Sequence, residues 1–395
     1  MGRHPEAVNP DRARVVGVDV ARGLALLGMF AVHIFPTFTA DGGPAVATLV
    51  AGGRSAATFV LVAGIGLAFV SGGRHVVRGA DRLGVAAGLV VRAALIGSLG
   101  LVLGVLSEDN RIYGILPYYG LYFLLAVPLI GLSARALAVV AAVVAVLGPV
   151  LLVATADVDL PGRGWGDGDP TFGALFADPG ALLLRLTVTG EYPAVVFLAY
   201  LCAGMAIGRL DLGSRSVAWS SLGVGAGLAI AAQVASAVVL STRSPLSRAA
   251  IWQPELSSSW WYLALPAPHS QSIVDVAHVL GSAMAVVGGA LLVTRIRVAA
   301  VLLQPLAAAG SMALTIYATH LVVLASGIFD DDPLARYLVI VVPALAFAWV
   351  WRRLLGRGPL ERVVAAAAGA TRRATTALVS RRAAPVPGGP PPAGS

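Results

Sequence analysis

The chain has 395 residues, of which 57% are hydrophobic and only 12% charged, with a net charge of +8 and a mean hydropathy of +0.83. A soluble domain carries roughly twice that charge, and the apolar runs are continuous rather than alternating, which argues against a soluble globule and against a β-barrel. All 28 basic residues are arginine. They fall between apolar runs instead of clustering on a soluble face, so they read as topology signals and argue against a nucleic-acid partner.

The expected fold is all-α: a polytopic membrane protein with about ten transmembrane helices in one bundle. The spans are predicted over residues 15–35, 54–71, 83–106, 112–131, 134–156, 191–209, 217–240, 273–294, 299–325 and 334–352. A charged leader, RHPEAVNPDRAR, enters the first of these directly, which predicts an uncleaved first helix. The expected organisation is a cytoplasmic tail over 1–14, a transmembrane domain over 15–352, a basic helix on the inner leaflet over 353–380 and a disordered tail over 381–395. With the N-terminus inside, nineteen arginines fall in inner segments and seven in outer ones. That bias predicts both termini in the cytoplasm and a multi-pass protein of the plasma (inner) membrane.

Two predicted outer loops are long. Residues 157–190 contain TFGALFADPGALLLRL, which can lie on the surface as an amphipathic helix. Residues 241–272 hold Trp252, Trp260, Trp261 and Tyr262, either an aromatic belt at headgroup level or a platform for stacking a sugar ring. Cys202, the one cysteine, excludes an internal disulfide.

The first span carries charge where charge is costly, about 2.5–3.5 kcal/mol per residue on insertion scales. Asp19 and Arg22 are three residues apart and share a face. His33 follows Arg22 by eleven residues, near three whole turns, so it lies on the same stripe about 16 Å further along. Either Asp19 and Arg22 neutralise one another while docking the helix, or they face a pathway. Arg92 is a second arginine at the inner half, and two guanidinium groups there can receive an anionic ligand such as a phosphate.

Four histidines, His33, His269, His278 and His320, map to the outer half or outer face. His278 is spaced to pair with Asp275, which can orient an imidazole. Before His320, residues Ser311, Thr315 and Thr319 form a polar stripe at helical spacing. Arg54 and Ser55 open the second span at the outer face, where Arg54 can hold an anionic acceptor or snorkel to the interface. No metal site is expected, because the histidines lack metal-ligand spacing. Glycine phosphate loops and the G-x-S-x-G elbow are absent from the sequence.

The opening helix, RVVGVDVARGLALLGMFAVHIF, resembles that of the heparan-α-glucosaminide N-acetyltransferase-like membrane proteins and the related YeiB-like bacterial family. The shared pattern is R-x-x-x-x-D-x-x-R-G, here Arg14, Asp19, Arg22 and Gly23. GRSAATFVLVAGIGLAF, EYPAVVFLAYLCAGMAIGRLDL, PLAAAGSMALTIYATH and GRGPLERV are also similar, so the likeness runs in order from about 14 to 363. The resemblance implies a transmembrane acyltransferase that takes acetyl-CoA from the cytoplasmic side and acylates a sugar amine or hydroxyl on the far side. Its partners would be membrane lipids, acyl-CoA and an envelope glycan or lipid acceptor, with a homo-oligomer also in view.

On that reading Arg14, Asp19, Arg22 and Arg92 bind the donor, and Arg54, Ser55, Asp275 and His278 the acceptor. In the animal enzyme the position matching His33 is an asparagine, and the essential histidine lies in the loop just after it. Here the loop from Pro36 to Gly53 has no histidine. The catalytic base is then His33, His320 or His269, in that order of expectation, or the role is lost. A transporter or lipid flippase, and a non-catalytic scaffold, are the competing readings.

Overall fold

A computed structural model describes residues 15–106, 114–162, 169–242, 247–329 and 331–383. In chain order its helices are α1 (Val16–Ile34), α2 (Val46–Ala51), α3 (Arg54–Val70), α4 (Gly79–Leu103), α5 (Leu116–Ala126), α6 (Ala134–Ala154), α7 (Phe172–Ala177), α8 (Pro179–Leu184), α9 (Ala194–Gly208) and α10 (Arg215–Ser241). There follow α11 (Arg248–Trp252), α12 (Ile273–Val293), α13 (Arg297–Leu302), α14 (Gln304–Ser311), α15 (Ala313–Ala325), α16 (Pro333–Leu354) and α17 (Pro359–Ala383). Among the described residues the only β-type pairing is an isolated bridge between Phe38 and Pro44.

The protein is therefore all-helical and polytopic. Among the described residues, seven helices are long and apolar enough to cross a membrane, or nine if each of two bent pairs counts as one span. The tenth expected span, 112–131, is the difference. Its helix α5 is 11 residues long and gives way at Val127 to a 3-10 turn, Pro128–Gly131. Pro128 lacks the N–H that would continue the α-helical ladder. The expected span 299–325 is bent by 86° between α14 and α15. The stretch read as one amphipathic surface helix forms two six-residue helices, because Asp178 caps the second by accepting the Ala181 N–H and Pro179 starts it.

By internal contacts the chain divides into two compact units. One comprises Met1–Val62, Ala145–Asp157 and Leu210–Gly358; the other Ala63–Val144, Val158–Arg209 and Pro359–Ser395. Helices α3 and α6 each contribute residues to both.

The first unit is built around α1, which packs against α2, α12, α14, α15 and α16. Its closest crossing is with α14. A Cβ on Gly23 would run into the Leu306 carbonyl, and one on Gly310 into the Asp19 carbonyl. Small residues are what allow two backbones this near inside a membrane. α12 also packs lengthwise on α10.

In the second unit α4 packs against α5 and α17. The basic helix α17 begins at Pro359 rather than 353, because α16 ends at Leu354 and Gly356 adopts a left-handed φ of 80° that breaks the ladder. It continues to Ala383, into the stretch expected to be a tail, and residues 384–395 lie outside the described part. Arg209 is anchored here. It donates to the carbonyls of Ala68, Ser71, Gly73 and Ile130 and to the Ser71 hydroxyl, so it caps the C-terminal end of α3.

Candidate functional site

The first unit gathers all four outer histidines predicted from the sequence. His33 ends α1, and its Nδ1 lies 3.1 Å from Nε2 of His320, which is buried on α15. The two rings are nearly parallel, at 6°, with centroids 5.3 Å apart. His320 Nδ1 is 2.5 Å from the Tyr317 carbonyl oxygen.

These contacts decide the tautomers of two neutral imidazoles. A carbonyl only accepts, so His320 carries its proton on Nδ1 and presents Nε2 as an acceptor. His33 must then donate from Nδ1, which leaves its own lone pair on Nε2. The chain of bonds runs from Nδ1 of His33 through His320 to a backbone carbonyl, and His33 Nε2 is the open basic nitrogen. Phe30 and Tyr317 pack on the His320 ring, with centroids at 4.3 and 4.8 Å, and hold it in place.

His269 sits in the loop before α12. Its Nε2 accepts the Gly53 N–H at 3.2 Å, so this lone pair is already engaged. It is near enough to His33 for the two to interact electrostatically. The loop is strained: His269 and Gln271 both have left-handed backbones, with φ of 64° and 58°. A non-glycine residue there costs on the order of 1–2 kcal/mol.

Asp275 compensates for this strain. Its carboxylate accepts the Gln271 N–H at 3.2 Å and the His269 N–H as well. Ser272 caps α12 by accepting the Asp275 N–H at 2.9 Å, and its hydroxyl donates to Leu265 at 2.6 Å. Tyr262 donates to the Ser270 carbonyl at 2.9 Å. Burial pushes the Tyr262 phenol above its ordinary range, with the Asp275 charge adding to the effect, so it stays a donor.

Tyr262 is thus an internal strut of the loop, packed with Val153 and Leu265, and not a belt residue. Of the predicted aromatic group only Trp260 is largely exposed, at 65%.

The expected pairing of His278 with Asp275 is not formed. His278 Nε2 instead receives the Arg54 guanidinium, at 3.1 Å from Nε and 2.7 Å from Nη2, and its Nδ1 donates to the Ala229 carbonyl at 3.1 Å. Three residues of spacing put Asp275 and His278 on one face, but His278 takes its partners from α3 and α10, and Asp275 takes its own from the turn before α12. Arg54 therefore turns inward rather than snorkelling. Its Nη1 reaches the carbonyls of Thr48 and Gly52 at 3.5 and 3.3 Å. These hydrogen-bond acceptors are all neutral, and the carboxylate that acts on the guanidinium through charge is Asp275. Ser55 is buried where α3 meets α1; a Cβ on Gly28 would strike its hydroxyl.

Two residues of the polar stripe before His320 bond to backbone carbonyls. Ser311 donates to Ala308 at 2.7 Å and Thr319 to Thr315 at 2.9 Å.

At the other end of α1, Arg22 Nη1 bonds Asp19 Oδ1 at 3.2 Å and the Gly310 carbonyl at 3.0 Å. The guanidinium thus ties α1 to the C-terminal end of α14, where the helix breaks and its carbonyls need a donor. Arg92 belongs to the second unit, where it lies over the Phe123 ring at 5.9 Å. Arg14 lies outside the described residues. Among the described residues no group of three His, Cys, Asp or Glu side chains is arranged to hold a metal.

Several parts of the cluster carry no side-chain signal: the Gly53 N–H, the Tyr317 carbonyl and the N–H groups of the 269–271 turn. One indirect signal exists. S-x-x-D over Ser272–Asp275 is a helix-start pattern, and it marks Asp275 as a residue that reaches back to the preceding turn.

A family model described as heparan-alpha-glucosaminide N-acetyltransferase, catalytic, matches residues 14–234, more than half of the chain. The match covers Asp19, Arg22, His33, Arg54 and Arg92, while His269, Asp275, His278 and His320 lie beyond it. No curated protein matches the chain closely enough to name a relative.

Proposed function

Since the chain belongs to the heparan-alpha-glucosaminide N-acetyltransferase catalytic family, we propose that it transfers an acetyl group from cytoplasmic acetyl-CoA to a sugar amine or hydroxyl of an envelope glycan or lipid on the outer side of the plasma membrane. Both termini would lie in the cytoplasm, as the arginine bias supports. The observation that carries the catalytic part is the hydrogen bond from His33 Nδ1 to His320, because it orients the basic Nε2 of His33.

In the proposed reaction the acceptor nitrogen or oxygen attacks the thioester carbonyl and passes its proton to His33 Nε2. The resulting imidazolium shares its charge through His320 to the Tyr317 carbonyl. The C–S bond then breaks, and the departing thiolate takes the proton from His33 to leave as free CoA. Negative charge on the carbonyl oxygen is met by the Arg54 guanidinium, which sits beside the turn that holds His269. Asp19 and Arg22, at the opposite end of α1, would frame the donor.

The test is protein-dependent release of free thiol from acetyl-CoA by the purified full chain in vesicles, with and without amino-sugar acceptors. Bent helix pairs are also what a transporter uses at its binding site. Acceptor accumulation inside the vesicles without any release of thiol would favour that second reading and defeat the first.

A further inference from the structure

Helices α4 and α17 lie antiparallel in the second unit. A Cβ on Gly84 would meet Thr376 and the Arg372 carbonyl, and one on Gly88 would meet the Ala368 carbonyl and Arg372. As the α4 number rises by four, the facing α17 number falls by a similar amount. Continuing that register brings the start of α4, at Arg78 and Arg82, level with the end of α17, at Arg381 and Arg382. Each helix of the antiparallel pair thus brings two arginines to the same end.

All four of these side chains are exposed, and Arg373 is exposed a little further along α17. Among the described residues none of the four lies within ion-pair distance of a carboxylate. Arg82 makes only a long bond to the Pro128 carbonyl, at 3.4 Å. Asp81, in the first turn of α4, is the single acidic residue on either helix near this end. Like charges brought together this way repel one another, and the arrangement gains only when an anion is present.

Exposed apolar side chains lie directly beside these cations: Leu83 at 52% next to Arg82, and Leu378 at 60% one turn before Arg382. Guanidinium groups flanked by exposed leucines match an ionic headgroup above an acyl chain, and do not match a soluble anion or a nucleic-acid backbone. α4 is itself long and apolar enough to cross a membrane, so its charged first turn belongs at the headgroup level.

We infer that the paired end of α4 and α17 is a binding surface for anionic phospholipid, in which Arg78, Arg82, Arg381 and Arg382 hold headgroup phosphates while Leu83 and Leu378 contact the acyl region. Arginine suits this because its fork binds phosphate bidentately. The surface is independent of the acyl-transfer reading, since no residue of the histidine cluster takes part.

The experiment uses the full chain in nanodiscs of mixed phosphatidylglycerol and phosphatidylcholine, with the lipid retained after detergent extraction identified by native mass spectrometry. Wild type is expected to retain phosphatidylglycerol in clear excess over its share of the disc. The Arg78→Gln, Arg82→Gln, Arg381→Gln, Arg382→Gln variant should lose about tenfold or more of that enrichment. The corresponding four-lysine variant keeps the charge and should keep most of the enrichment. An Arg215→Gln, Arg297→Gln variant, which removes exposed arginines elsewhere, should behave as wild type.

If the glutamine variant fails to fold, the wild type still decides. Enrichment should fall steeply with salt, and millimolar inorganic phosphate should leave it in place. Equal retention of the two lipids by wild type would overturn the inference. So would unchanged enrichment in the glutamine variant, full displacement by inorganic phosphate, or tighter binding of a short DNA duplex than of the lipid.

Discussion

Nδ1 of His33 donates to Nε2 of His320 across 3.1 Å, and the Tyr317 carbonyl fixes the proton on the far side of the second ring. This relationship gives the two histidines different geometries, which their ranking as alternative bases in the sequence does not contain. His33 keeps a lone pair on Nε2 and His320 orients the ring that carries it; in the proposed reaction His320 would also spread the charge that proton uptake creates.

The first prediction separates these parts. His33→Ala should lower turnover by roughly a hundredfold or more while leaving acetyl-CoA binding intact. His320→Asn removes the ring that accepts from His33, and should cost less, about tenfold, with a changed pH–rate profile and an unchanged KM for the donor. Equal losses from both, with the same pH profile as wild type, would mean that His320 acts only by supporting the fold.

The second concerns the strained turn. Asp275→Ala leaves the N–H groups of His269 and Gln271 without their carboxylate and should lower the thermal midpoint. Gln271→Gly relieves the left-handed strain by about 1 kcal/mol and should be neutral or slightly stabilising alone. The loss from Asp275→Ala should therefore be smaller in the Gln271→Gly background. Strictly additive midpoints would show that Asp275 does not act through this turn.

The third asks what Arg22 does besides tying α1 to α14. A donor role predicts that Arg22→Gln raises the Kd for CoA by about tenfold and makes the remaining binding less sensitive to salt. A folded variant that binds CoA like wild type would leave Arg22 a structural role, such as its bonds to Asp19 and Gly310.

The fourth tests the helix crossing. Gly310→Ala drives a methyl group into the Asp19 carbonyl and should destabilise by about 1–3 kcal/mol. Gly289→Ala is the control, since a Cβ there meets nothing within 4 Å. Fluorescence-detected size exclusion after a heating series should show earlier loss of the Gly310 variant alone.

Much of this protein follows from its sequence alone. Sustained apolar runs with sparse charge dictate membrane-crossing helices, because only a helix satisfies its own backbone in hydrocarbon. The i, i+3 spacing of Asp19 and Arg22 put them on one face, and they do form a bond. His33 lies on the same stripe, and that position, together with the family's polar position it occupies, ranks it first among the candidate bases. Spacing along one helix is local geometry, and local geometry is what sequence periodicity encodes.

What the tertiary structure decided is which groups on different helices meet. Asp275 and His278 share a face, yet they do not pair: Asp275 reaches back a few residues to the turn before α12, while His278 takes partners far away in sequence, Arg54 at the start of α3 and the Ala229 carbonyl on α10. His33 and His320 are 287 residues apart. No periodicity links such positions. They meet because glycines at 23 and 310 let α1 and α14 touch, and because the helix breaks at Met312, where the chain bends by 86° into α15. Backbone groups complete the arrangement, and since every residue carries the same N–H and carbonyl, only the folded chain determines which of them take part.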